Sequence, residues 1–559
     1  MRRLGIAAVA LATGLGLAGV ATAQAVTDPL VEQRRVQELS ERTSALGGFR
    51  PQGGAPDPGP AQARGGPCFP IDRIEVTGVT LLPEVTLARL MAPFAPACMQ
   101  GADIQSAMRA LDGAYADKGY ITTRSYIPAQ NLTTGVLVLE VLEGHVEGIY
   151  LVGEAEELTG PRARRQIATA FPGAATRPFN LRDFEQGLDQ MNRLGSVEAT
   201  VRLQPGDTPG GSHVIVQRLQ QDRFRGLGRF DTLASEGTGR NRLTFETTVD
   251  DLFGANDTWT VGLAGTENTN ALTLSGSVPF GYTTVQLDLG YSEYLVPLSP
   301  AAELFGTSTN VSLSVTRMLA RGQFSTTEGS VTLGVRDGTR VINFAALTPQ
   351  RVATLSFGLR HIRIGEQARN SYDATLSFGL DAFGATRDPA SPARDEPRAQ
   401  FARLEFGWQR QGAFGAAGTL VTDLRAQISP HTLYGSEQMA IGSFSTVRGY
   451  EEAVGAGETG AYLRNDLYLA ADVWTRLLPA AMRQTAATRI QPHLFLDAGV
   501  VRDRATGRRT HAAGAGLGLS WSFGRFTASG IIGVPLIDPF GRPGIGGPLI
   551  QVRADAKLW

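Results

Sequence analysis

Lysine is almost absent from this 559-residue sequence, where Lys118 and Lys557 are the only two. A phosphate-binding loop needs a Gly-Lys-Ser/Thr step, so the chain cannot drive transport by its own ATP hydrolysis. Six histidines, His145, His213, His361, His431, His493 and His511, are scattered along the chain, and neither G-x-S-x-G nor H-E-x-x-H occurs. No enzyme activity, metal or cofactor is therefore expected. The net charge of −1 gives no support for nucleic acid or another polyanion as partner. After the first 23 residues no apolar run is long enough for a membrane helix.

What is present begins with an export segment. Arg2 and Arg3 precede an apolar stretch, and Ala21-Thr22-Ala23 is a small-residue cleavage site, so residues 1–23 read as a signal peptide. Cleavage after Ala25 is the alternative. Residues 24–46 carry Leu30, Val36, Leu39 and Leu46 at helical spacing behind Asp28 and Pro29, a cap and a first-turn proline. Residues 47–67 are a Gly/Pro-rich linker. Cys68 and Cys98 are the only cysteines, and an even count in an exported chain predicts a disulfide between them.

Residues 68–144 and 145–220 read as two copies of one unit. The pattern predicts strand 71–76, helices 83–91 and 103–118, and strands 123–127 and 136–142, then the same order over 146–152, 161–171, 181–194, 197–203 and 213–219. From residue 221 to 559 the period is two, as in 285–292, 353–359, 374–381 and 515–523. Two-faced strands and 67 glycines suit a lipid-embedded barrel better than the soluble alternative, a large β-sandwich. Trp559 ends the chain on an aromatic, but Lys557, Asp555 and Arg553 share its parity and depart from the usual apolar alternation.

Within this region, 441–450 (IGSFSTVRGY) reads as a loop whose single charge, Arg448, precedes Gly449. Further on, Leu494, Leu496, Ala498 and Val500 share one strand face, so Asp497 points the other way, into a barrel's lumen. By itself such a pair can be chance, worth about 0 to 1 kcal/mol if exposed.

Val447-Arg448-Gly449-Tyr450 resembles the VRGY/F loop motif, and Phe495-Leu496-Asp497-Ala498-Gly499 the F-x-D-x-G strand motif, of the two-partner secretion transporters, the haemolysin secretion/activation family. The repeated β-α-α-β-β units, with Gly78 and Gly153 after their first strands, resemble POTRA domains. The resemblance implies a membrane all-β barrel of about 16 antiparallel strands behind two α+β POTRA domains and an N-terminal helix that plugs the pore. The other reading of that helix is a disordered or partner-binding extension. The resemblance further implies that the loop near 441–460 folds into the barrel and that Arg448 pairs with Asp497. The expected function is an outer-membrane transporter that binds a large, unfolded secreted partner, haemolysin- or adhesin-like, in the periplasm and passes it to the cell surface. A monomer in outer-membrane lipid is expected. An assembly factor for other barrels and a passive porin are the alternatives.

Overall fold

The computed structural model describes residues 68–538 and 547–559. The expected signal peptide, N-terminal helix and linker lie outside the described residues.

The first N-terminal unit is a three-stranded sheet, ordered Arg73–Thr77, Val136–Leu142, Arg124–Tyr126, under helices Glu84–Met91 and Gly101–Asp117. Leu137, Leu139 and Val141 alternate toward the helices and meet Ile104, Ala107, Leu111 and Tyr115, all buried. The strand expected over 71–76 is split. Asp72 donates its N–H to the Gly135 carbonyl at 2.7 Å, and Phe69–Ile71 turns away to pair with Ala97–Met99. The disulfide Cys68–Cys98 closes this extra ribbon, with Cα atoms 5.4 Å apart.

Cross-linking across a separation of 30 residues stabilises by about 3 to 4 kcal/mol in the chain-entropy model. Reduction, or Cys68→Ser with Cys98→Ser, is therefore expected to lower the urea midpoint for protease protection of this unit. An unmoved midpoint contradicts it.

The second unit repeats the design without the ribbon. Its sheet runs His145–Val152, Gly211–Gln220, Val197–Pro205. Helices Gly160–Ala170 and Leu181–Asn192 cover one face, with Phe171, Phe179, Phe184 and Met191 packed on Val214 and Val216.

Sixteen long antiparallel strands then close a barrel, from Phe224–Asp231 round to Leu549–Lys557. The closing seam is short, five residue pairs from Arg553↔Asp231 to Lys557↔Leu227. Outward residues are apolar, as a lipid-facing wall requires: Leu494, Leu496, Leu517, Leu519 and Trp521 are all exposed. The final strand obeys the same alternation in the opposite phase to Trp559. Ile550 and Val552 face out, Gln551 is buried, and Arg553 bonds Asp555 at 2.8 Å, with Asp555 also taking Arg229 Nε at 2.7 Å. Trp559 lies beyond the end of that strand, which is why its parity misleads.

The second unit is seated on the barrel turns at residues 251–257 and 281–282. Asp251, fully buried, accepts from Arg162 at 2.8 Å, Gln166 at 2.6 Å and Arg218 at 3.4 Å. Neighbouring Asp250 accepts the Ser196 N–H at 3.0 Å, and Gly281 N–H reaches the Thr169 carbonyl at 2.7 Å. These contacts place the turns on the same side of the membrane as the soluble units.

Candidate functional site: a loop folded into the barrel

Between strands Gly418–Ile428 and Thr459–Leu469 the chain does not stay outside. Residues 429–458 fold into the lumen. The two limbs pair as a short ribbon, Met439–Ile441 with Gly455–Gly457, and the tip is carried between them. Two glycines shape that tip. Gly442 has φ +97°, and Gly449 has φ +100° with the backbone of Val534 so close that a Cβ would stand 2.8 Å from its carbonyl carbon and oxygen. Any other residue at 449 would meet both a strained backbone and a wall.

Arg448 is thereby aimed at the barrel. Its Nε donates to Asp497 Oδ2 at 2.6 Å and an Nη to Asp497 Oδ1 at 2.8 Å, a two-pronged contact, and its backbone N–H adds a third bond at 3.1 Å. The other Nη donates to Asp466 at 2.6 Å, and the guanidinium lies 4.0 Å over the Phe495 ring. Arg448 is 3% exposed and Asp497 0%. The remaining motif residues hold the tip. Val447 is buried with Ile441, Val454 and Val501. Gly499 is what lets them in, since a Cβ there would come within 3.0 Å of Val447 and 3.2 Å of Ile441. The Tyr450 hydroxyl donates to the Ile537 carbonyl at 2.7 Å and accepts the Ala513 N–H at 3.1 Å.

Other groups at this site were not singled out from the sequence. Asp466 and Arg464 sit on Thr459–Leu469, and Arg464 donates to the Ser445 carbonyl at 2.8 Å. Their signal was the alternation Leu463-Arg464-Asn465-Asp466-Leu467, which marks a polar face but names no partner. The descending limb has its own anchor. Buried Glu437 accepts from Arg403 at 2.7 Å and Arg336 at 3.1 Å, which come from two other strands. Buried Glu458 accepts from Gln438 at 2.8 Å and the Arg504 N–H at 2.6 Å, closing the neck. The loop thus braces one wall of the lumen against another.

A closed barrel with an apolar outer wall, two sheet-and-helix units seated on one end and a loop pinned inside the lumen define a transmembrane β-barrel occupied from within. The comparisons give the particular family. The profile described as "Haemolysin secretion/activation protein ShlB/FhaC/HecB" matches residues 210–521, a ShlB-type POTRA profile matches 69–144 and a further POTRA profile 145–205. The outer membrane transporter CdiB of Dickeya dadantii is 31% identical over 413 residues, 72% of each chain. The hemolysin transporter protein ShlB of Serratia marcescens is 27% identical, covering 85% of this chain and 82% of its own. The solved structure of CdiB from Escherichia coli matches with TM-score 0.83 at 25% identity, over 95% of this chain and 98% of that one. This chain belongs to the haemolysin secretion/activation family of two-partner secretion transporters. It resides in the outer membrane with its POTRA domains in the periplasm.

Proposed function

We propose that this transporter exports one large secreted partner protein, that its POTRA domains receive the partner as an extended segment, and that the 429–458 loop must leave its lumen position for the partner to pass. The observation that carries this reading is the buried Arg448–Asp497 contact, which pins the loop across the lumen from the inside. A permanently open pore would have no use for such a clamp, and clamped loops pass nothing wide. The capture step is supported by the sheets: among the described residues Arg73–Thr77 pairs only with Val136–Leu142, leaving its other edge able to add a strand. Side-chain pockets beside that edge would select the sequence, and backbone hydrogen bonds would supply affinity.

The test is photocrosslinking in intact cells. With a photoreactive residue at Glu75, on the exposed edge, the full chain is expected to crosslink to a secreted protein encoded nearby while export is under way. Export that proceeds with no crosslink from this edge, or from the outer edge of His145–Val152, contradicts capture by strand addition.

A further inference from the structure

Two of the six histidines converge on a single carboxylate in the second POTRA domain. His145 Nε2 lies 3.8 Å from Glu147 Oε1, and His213 Nε2 lies 3.7 Å from Glu147 Oε2. Asp207 Oδ2 approaches the same His213 nitrogen at 3.7 Å. The donor atoms of Glu147, Asp207 and His213 all fall within 4.8 Å of one another.

The fold builds this convergence. His145–Val152 pairs in parallel with Gly211–Gln220, but the register slips between Val146 and Gly148, which makes Glu147 the extra residue of a bulge. A bulge re-aims its side chain, here toward the turn at residues 206–210. That turn wraps the carboxylate: Asp207 and Thr208 donate backbone N–H groups at 2.7 and 2.8 Å, and a Cβ on Gly211 would stand 1.9 Å from Oε1. Asp207 is carried to the site by the same turn.

Those bonds account for Glu147 but not for His213. His213 Nε2 faces both carboxylates but stands too far from either for a hydrogen bond. Two ligands of one tetrahedral zinc ion, each about 2.1 Å from it, stand about 3.4 Å apart. The separations of 3.7 Å are close to that spacing. We propose that His213, Glu147 and Asp207 bind a transition-metal dication of the zinc type, with water completing its coordination. His145 stands outside this triad and bonds the Thr208 hydroxyl at 3.1 Å. Imidazole donors select zinc over magnesium or calcium, which take oxygen ligands. The site stands where the chain enters the second domain, since the His145 N–H bonds the Gly210 carbonyl of the same turn at 3.0 Å. A bound ion ties that entry to the turn and stiffens the joint between the two domains.

The experiment uses full-length protein in detergent, free of any histidine tag and stripped with a chelator, with Zn²⁺ titrated against a chromophoric chelator at neutral pH. One Zn²⁺ per chain is expected, at least tenfold weaker in His213→Ala and unchanged in His361→Ala on the barrel. Absence of stoichiometric binding, equal affinity in His213→Ala and the parent, or displacement by millimolar Mg²⁺ overturns the proposal. Should His213→Ala fail to fold, Asp207→Asn on the exposed turn replaces it. At least threefold weaker binding supports the site and unchanged affinity overturns it.

Discussion

Arg448→Ala is expected to lower export of the partner at least tenfold while the barrel still inserts and closes. The guanidinium answers two carboxylates on adjacent strands, Asp497 and Asp466, and lies on Phe495. Removing it leaves Asp497 without its guanidinium and Asp466 with only the more distant His493 at 3.7 Å, and breaking a buried pair costs about 3 to 5 kcal/mol, less where lumen water reaches in. That loss falls on loop docking. Strand pairing is spared, because the segment that carries Asp497, residues 493–502, is paired in register with Thr459–Leu469 on one side and Arg509–Phe523 on the other. Arg448→Lys keeps the charge but cannot span both oxygens of Asp497 and reach Asp466 at once, so only partial export is expected. The double variant Arg448→Ala, Asp497→Ala should export no worse than either single one, since both lose the same contact. Secretion is measured against the amount of heat-modifiable barrel in the membrane. Additive losses at equal barrel amounts would show that the two residues act separately.

Asp251→Ala should unseat the second POTRA domain from the barrel. This carboxylate is 0% exposed and serves Arg162, Gln166 and Arg218 at once. Arg162 can swing into water, but the Arg218 side chain is 3% exposed and would be left as a buried cation, again a loss of about 3 to 5 kcal/mol. Asp251 also has φ 55°, a left-handed backbone that asparagine tolerates and alanine resists. Asp251→Asn therefore separates the two effects: it keeps the turn and removes the charge. The readout is trypsin cleavage after Arg223, whose Nε now bonds the Asp250 carbonyl at 3.1 Å. Faster cleavage is expected in both variants, and more so in alanine. Cleavage at the parental rate in Asp251→Ala would remove this carboxylate from the joint.

The sequence by itself determined what depends on short-range pattern. Period-two alternation put Leu494 and Leu496 on the lipid side and Asp497 on the other, because a strand's side chains alternate whatever its neighbours are. Helical spacing and glycine placement gave the repeated units to within a few residues, although the break at Asp72 escaped, since it depends on Phe69–Ile71 finding Ala97–Met99 across an intervening helix. The direction of Asp497 was legible; its sharing of Arg448 with Asp466 was not. Every lumen-facing polar residue has the same local signature, and which ones meet is decided by barrel closure and by the path of the loop. Glu437 joins Arg336 and Arg403 across sequence separations of 101 and 34 residues, and Asp251 meets Arg162 across 89. Such buried ion pairs exist only once two surfaces are brought together and water is excluded between them, a condition the tertiary structure sets and no local pattern encodes.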